Sequence, residues 1–231
     1  MILNDYVVSI LPNLRIHADC NVKHLSLHAS KKEYIDGILA KEETLCVGRV
    51  KKVLLDDYAV SVVLKLRIHE DSMVENLSLF AYKEEHVATI LAQDQPFCVR
   101  RVKNMKFRDY AASILPKLRI HEDSIMESFA LDAGEVSLSR ILVEGDSRIE
   151  LGRIRTGGLD GVPEEIRRKL RYTLVDREGK EVLTERNREA AAVGDGEVEE
   201  ASKREANEVA EKETKKKQKT EETFFLGTKQ S

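Results

Sequence analysis

The sequence predicts an α/β solenoid, with a parallel sheet lining a concave face and helices on the convex face, followed by a disordered tail. Three observations predict it. A long pattern recurs without a gap, marked by Leu14, Leu66 and Leu118. Each period splits into a longer and a shorter unit that begin on the same apolar hexamer, as at Val22, Val50 and Val74. The composition then changes abruptly near residue 185. Repeats of this size mark chains whose units cannot bury their apolar faces alone and stack to do so.

The period is read directly. Leu14-Arg15-Ile16-His17 returns as Leu66-Arg67-Ile68-His69 and as Leu118-Arg119-Ile120-His121. Tyr6, Tyr58 and Tyr110 keep the same offset, as do Arg49, Arg101 and Arg153. Leu25-Ser26-Leu27 matches Leu77-Ser78-Leu79 and Phe129-Ala130-Leu131. Within each period an apolar-x-x-apolar-x-apolar hexamer occurs twice. Six copies start at Val22, Val50, Val74, Val102, Met126 and Ile154, and two glycines degrade the last, Ile154 to Leu159.

The hexamer ends on a period of two, which is the strand signal. Segments such as Tyr58 to Leu66 and Glu85 to Ala92 run between the copies. In the second, Val87, Ile90 and Leu91 share one helical face. The acids of Lys83-Glu84-Glu85 suit a helix start. Each unit therefore reads as strand, connection, helix and return. The competing reading is an all-helical solenoid with two helices per half-period. Its weakness is the hexamers, which are too short to be helices of their own.

Strand-plus-helix units of these two lengths with L-x-x-L-x-L spacing resemble the leucine-rich repeat family, the longer unit being near the ribonuclease-inhibitor type. The resemblance covers residues 1–162 and implies a solenoid of about six units. It departs where the family places Asn or Cys after the strand. Here His28-Ala29-Ser30 and Arg108-Asp109-Tyr110 stand instead.

Residues 1–162 are thus expected to form the solenoid. By the tyrosine alignment Met1 matches Val53, so the chain is expected to start inside a unit, with an uncapped sheet edge open to self-association or belonging to a longer repeat protein. Residues 163–184 are expected to cap the other end. Pro163-Glu164-Glu165 through Arg171 carries helix signals, Pro first, then acids, then bases. Tyr172 to Val175 and Lys180 to Thr184 flank a Gly-containing loop and read as a hairpin. From Glu185 to Ser231 the sequence has 12 acids and 10 bases with little apolar clustering, so this charged segment is expected to stay disordered. It holds a basic run, Lys215 to Lys219, and an apolar triplet, Phe224-Phe225-Leu226.

Composition excludes several function classes. No stretch approaches the ~20 apolar residues of a membrane helix, and no basic leader precedes an apolar block at the N-terminus. Three cysteines, Cys20, Cys46 and Cys98, are too few and scattered for a disulfide framework. An intracellular protein is expected, cytoplasmic or nuclear. A net charge of −3 argues against bulk nucleic-acid binding. The recurring His17, His69 and His121 stand two units apart, about 9–10 Å, too far to share a metal ion. His24 and His28 are also too far apart along a strand, so no metal or cofactor is expected. Glu70-Asp71-Ser72 and Glu122-Asp123-Ser124 read as turns. Cys46 and Cys98 read as small buried hydrophobes. No nucleophile elbow or phosphate loop is present, so no enzyme is expected.

What remains is the outer face of the sheet. Strand alternation sends hexamer positions 1, 4 and 6 inward. Positions 3 and 5 and the residue after the hexamer point to solvent. The face so defined holds His24 and His28; Lys52, Leu54 and Asp56; Asn76 and Phe80; Asn104, Lys106 and Arg108; and Asp132, with Ser26, Ser78, Ser128 and Ala130 between them. Leu54 and Phe80 look like exposed anchors in a polar surround, the composition of protein interfaces. The expected function is recognition of a protein partner through this face. The alternative is a structural subunit that associates through its N-terminal edge.

Overall fold

A computed structural model describes residues 1–14, 16–121, 124–143 and 149–182, which lie within one compact unit, Met1–Val182. The chain is mixed α/β, with a mostly parallel central sheet. Strands β1 (Ile2–Asn4), β2 (Asn21–Ala29), β3 (Arg49–Asp57), β4 (Val74–Ala81), β5 (Val102–Asp109) and β6 (Ser128–Asp132) lie side by side in chain order and form an open sheet. Every pair in it is parallel.

The register repeats the sequence spacing. Across the longer units Val22 pairs with Val50 and Val74 with Val102. Across the shorter ones Lys52 pairs with Asn76 and Asn104 with Ser128. The equivalent hexamer positions thus form ladders across the sheet. On the inner face Leu3, Leu27, Leu55, Leu79, Phe107 and Leu131 make one row. Leu27, Leu55, Leu79 and Phe107 are completely buried. Leu25, Val53, Leu77, Met105 and Phe129 make the next row, also buried. This is the alternation that the hexamer requires, and it places the core on one side of the sheet.

The connections are tighter than expected. Three of them open on 3-10 helices, Asp5–Asn13, Tyr58–Leu64 and Tyr110–Lys117. Val60-Ser61-Val62-Val63 is β-branched over most of its length, and Pro12 and Pro116 lie inside the other two, so an α-helix is disfavoured in all three. True α-helices occur in the longer units and beyond: α1 (Glu33–Leu39), the short α2 (Ala88–Leu91), α3 (Glu135–Val143) and α4 (Glu164–Lys169).

The far end differs from expectation in detail. Ile154 and Arg155 are strand, but Thr156 to Gly161 are turn, so the sixth hexamer is not a strand of its own. The strand instead begins earlier, as β7 (Ile149–Arg155). It pairs in parallel with Ile125–Met126 and with β8 (Leu170–Val175) in a second, three-stranded sheet. Gly157, with a φ of +83°, turns the chain here, and Gly158 lets it pass close to its neighbours: a Cβ there would meet Ile154 Cγ2 at 2.7 Å and the Glu127 carbonyl at 2.8 Å. The expected hairpin survives as one antiparallel bridge, Val175 to Glu181. The expected helix stops at Lys169 because Leu170 turns into β8. Arg15, Glu122-Asp123 and the segment from Leu183, with its expected disorder, basic run and Phe224 triplet, lie outside the described residues.

Candidate functional site: the outer sheet face and an acid–histidine cluster

Three rows of side chains run across the outer face. The first is His24, Lys52, Asn76, Asn104 and Ser128. The second is Ile2, Ser26, Leu54, Ser78, Lys106 and Ala130, and the third is Asn4, His28, Asp56, Phe80, Arg108 and Asp132. All the residues expected on this face stand in these rows, none of them in the buried core. Adjacent strands are about 4.8 Å apart, so each row is a continuous strip.

Leu54 and Phe80 are half-buried rather than exposed. The Arg108 guanidinium lies 4.7 Å above the Phe80 ring, a cation–π contact. Arg108 Nε also donates to Asp132 Oδ2 at 3.1 Å, and Lys106 Nζ is 3.7 Å from the same oxygen. The Tyr82 hydroxyl, ahead of Asp132, raises the Arg108 pKa further above its ordinary value. Tyr82 is 51% exposed. It was not among the expected residues, although the period of two that placed Phe80 on this face continues to it. Asn104 is tied down at the other side, donating to the Glu75 carbonyl at 2.8 Å and accepting from Ser128 Oγ at 2.8 Å.

The third row begins in a cluster of acids and imidazoles. His28 Nδ1 lies 3.3 Å from Asp56 Oδ2 and 3.8 Å from Asp57 Oδ2. Its other nitrogen faces Asp5 Oδ1 at 4.0 Å. Asp57 Oδ1 lies 3.0 Å from His86 Nδ1, and the His86 side chain is only 5% exposed. The His86 ring packs on Tyr58 at 4.5 Å. Asp57 would ordinarily point away from Asp56, its neighbour in the strand. It has instead a positive φ of 55° at the strand end, and both carboxylates stand beside one imidazole. Burial pushes the Asp57 carboxyl above its ordinary range and the His86 imidazole below its own, each charge partly offsetting the other's shift. Hydrogen bonds from the Ser30 hydroxyl and amide hold Asp5 below the usual carboxylate range.

The cluster joins histidines to carboxylates, so the spacing between histidines does not reveal it. His28 meets Asp56 across one longer unit, and Asp57 and His86 join only through the backbone turn and the 3-10 helix Glu84–His86. Asp5, Asp57 and Asp109 recur at the full period of the repeat, and all three have positive φ. That recurrence is the signal the sequence does offer.

The column of His17, His69 and His121 forms turns. His17 and His69 accept from the amides of Asp19 and Asp71 through Nδ1, at 3.3 and 3.2 Å. Ser72 and Ser124 amides donate to the His69 and His121 carbonyls, both at 2.9 Å. Cys46 and Cys98 contradict expectation: both are exposed, as is Cys20. In Leu45-Cys46-Val47 the alternation buries Val47 and turns Cys46 outward, and Cys98 sits likewise between half-buried Phe97 and Val99.

Among the described residues no helix is long and apolar enough to cross a membrane. Comparison with family models, with curated proteins and with solved structures finds no match to this chain.

Proposed function

We propose that the chain is a non-enzymatic recognition module, an α/β solenoid of leucine-rich-repeat-like units that binds a protein partner through the outer face of its sheet. The observation that carries this reading is the Phe80–Tyr82–Arg108–Asp132 group at the end of the third row. Aromatic and arginine side chains dominate the binding energy of protein interfaces. Here an arginine is already held over a ring by a carboxylate, so little side-chain entropy remains to be lost on binding. Leu54 and Ile2, in the neighbouring row, extend the same face with apolar area.

The test is capture with the immobilised full chain, quantified for each bound protein, against Phe80→Ala and Arg108→Ala. Each variant is expected to weaken binding of the true partner by about 2 kcal/mol, roughly thirtyfold. A reversal at Glu42, Glu42→Lys, away from the face, is expected to leave it unchanged. Equal capture by all three variants would sink the reading.

A second reading is favoured by one specific observation. Val7 and Ile10 are 43% and 38% exposed, whereas their counterparts one and two periods on, Ala59 and Val62, Ala111 and Ile114, are completely buried. Together with exposed Ile2 and Tyr6 they leave an apolar surface beside β1, an edge strand. Such edges pair with other chains unless blocked. On this reading a second copy covers that surface. Light scattering across a dilution series is expected to show reversible association that Val7→Lys/Ile10→Lys abolishes. A native chain that stays monomeric at every concentration rejects it.

A further inference from the structure

We propose that His28, Asp56 and Asp57 form a binding site for a divalent transition-metal cation with the ligand preference of zinc, a site that goes beyond the recognition role. One donor atom from each of the three lies within 4.8 Å of the other two. Donors bound to one zinc ion at about 2.0–2.1 Å stand about 3.3 Å apart at the tetrahedral angle. His28 Nδ1 is already 3.3 Å from Asp56 Oδ2 and 3.8 Å from Asp57 Oδ2. An imidazole and two carboxylates are borderline nitrogen and hard oxygen donors, the mixed set that zinc accepts. The three side chains are 35%, 25% and 16% exposed, so an ion can reach them and solvent can complete its shell.

The charge around the site also favours a cation. Asp56 Oδ1, Asp57 Oδ1 and His86 Nδ1 are wholly buried with no hydrogen-bond partner. His86, almost wholly out of solvent, aims Nδ1 at Asp57 Oδ1 from 3.0 Å, yet the pair is not aligned as a hydrogen bond. Three carboxylates surround one imidazole here, and a bound cation would compensate that excess. Asp5 and His86 then act as positioning groups. Asp5 faces the distal nitrogen of His28, as metal-bound histidines commonly require, and His86 faces the distal oxygen of Asp57.

The repeat supplies an internal control. One period on, the places of His28, Asp56 and His86 are taken by Phe80, Arg108 and Leu138, while Asp57 is matched by Asp109 with a similar positive φ. The strand end therefore needs the aspartate, but it does not need the histidines or the second acid. Those residues depart from the next copy of the repeat, and all of them meet around Asp57.

The test uses the full chain with Cys20→Ser, Cys46→Ser and Cys98→Ser, which removes the exposed thiols as competing zinc ligands. Zinc chloride is titrated calorimetrically at neutral pH. Saturable one-to-one binding is expected, weakened at least about tenfold by Asp56→Asn and by His28→Phe. His69→Ala, at a histidine beside Asp71, is expected to change nothing. His28→Phe installs the side chain that the next period carries, and Asp56→Asn keeps its shape, so both should fold; circular dichroism checks that they do. As a measurement independent of variants, zinc is expected to raise the melting temperature of the native chain, and a chelator to reverse the rise. Absence of saturable binding, or binding that neither variant weakens, overturns the proposal.

Discussion

Phe107→Ala is expected to destabilise the fold by about 3–5 kcal/mol, the usual range for deleting a buried aromatic ring. Phe107 is completely buried in the long inner row, between Leu79 and Leu131 on neighbouring strands. Its ring packs at 5.8 Å against Phe129, which is itself 1% exposed. A cavity there cannot refill from solvent, and the parallel register holds the backbone on both sides, so little collapse is available. Phe80→Ala removes the same atoms one strand earlier but on the outer face. It is expected to cost less than about 1 kcal/mol, because substitutions away from the core change stability little. Urea unfolding of the two variants side by side measures the difference. Equal losses would mean that the inner and outer faces have been assigned wrongly.

The pair also shows how the sequence encodes the sheet. Phe80 and Phe107 look alike in isolation. Only hexamer phase separates them, since Phe107 is at position 6 and Phe80 follows position 6. The same phase correctly buries Leu25, Val53, Leu77, Met105 and Phe129, and the two unit lengths reappear as the pairing register. Strands were legible because their period of two and their length both fit the apolar pattern. The connections were less so. Tyr58 to Leu64 has an apolar content that suits a helix, but its valines restrict the backbone and only a 3-10 turn forms. Residue type alone suggests a buried Cys46, whereas the alternation in Leu45-Cys46-Val47 turns it outward.

The acid–histidine cluster was partly legible. His28 and Asp56 are both on the expected outer face, one register step apart. Asp57 was not expected there, because regular alternation points it inward. Its positive φ overrides that rule, and a lone aspartate does not announce such a conformation. The three-period recurrence of Asp5, Asp57 and Asp109 does announce it, once the three are compared. Asp and Asn tolerate this region better than other side-chain-bearing residues.

Gly48→Ala is the second substitution with a large expected effect, about 2–5 kcal/mol from backbone strain and overpacking together, and here the repeat gives no warning. Arg100 stands in the equivalent place one period on, so Gly48 does not look required. The structure shows why it is. Gly48 has a φ of +71°, which alone costs an alanine roughly 1–2 kcal/mol. A Cβ there would also lie 2.4 Å from the Cys20 carbonyl oxygen and 3.1 Å from that of His17. Cys20 cannot easily retreat, because its carbonyl accepts the Arg49 amide at 2.8 Å where β2 and β3 begin to pair. The Gly48 carbonyl is engaged in turn by the His69 amide at 3.0 Å. Relief of the clash must therefore disturb two successive returns, an overpacking penalty of about 1–3 kcal/mol added to the conformational one. Gly37 is the control. It sits inside α1 with nothing within 4 Å of a built Cβ, so Gly37→Ala is expected to stabilise the chain by about 0.5–1 kcal/mol through helix propensity. Thermal melts of both variants are expected to move in opposite directions from the native midpoint. A Gly48→Ala chain that melts with the native one would show that the Cys20 carbonyl can yield, and that the start of the β2–β3 ladder is softer than its hydrogen bonds imply.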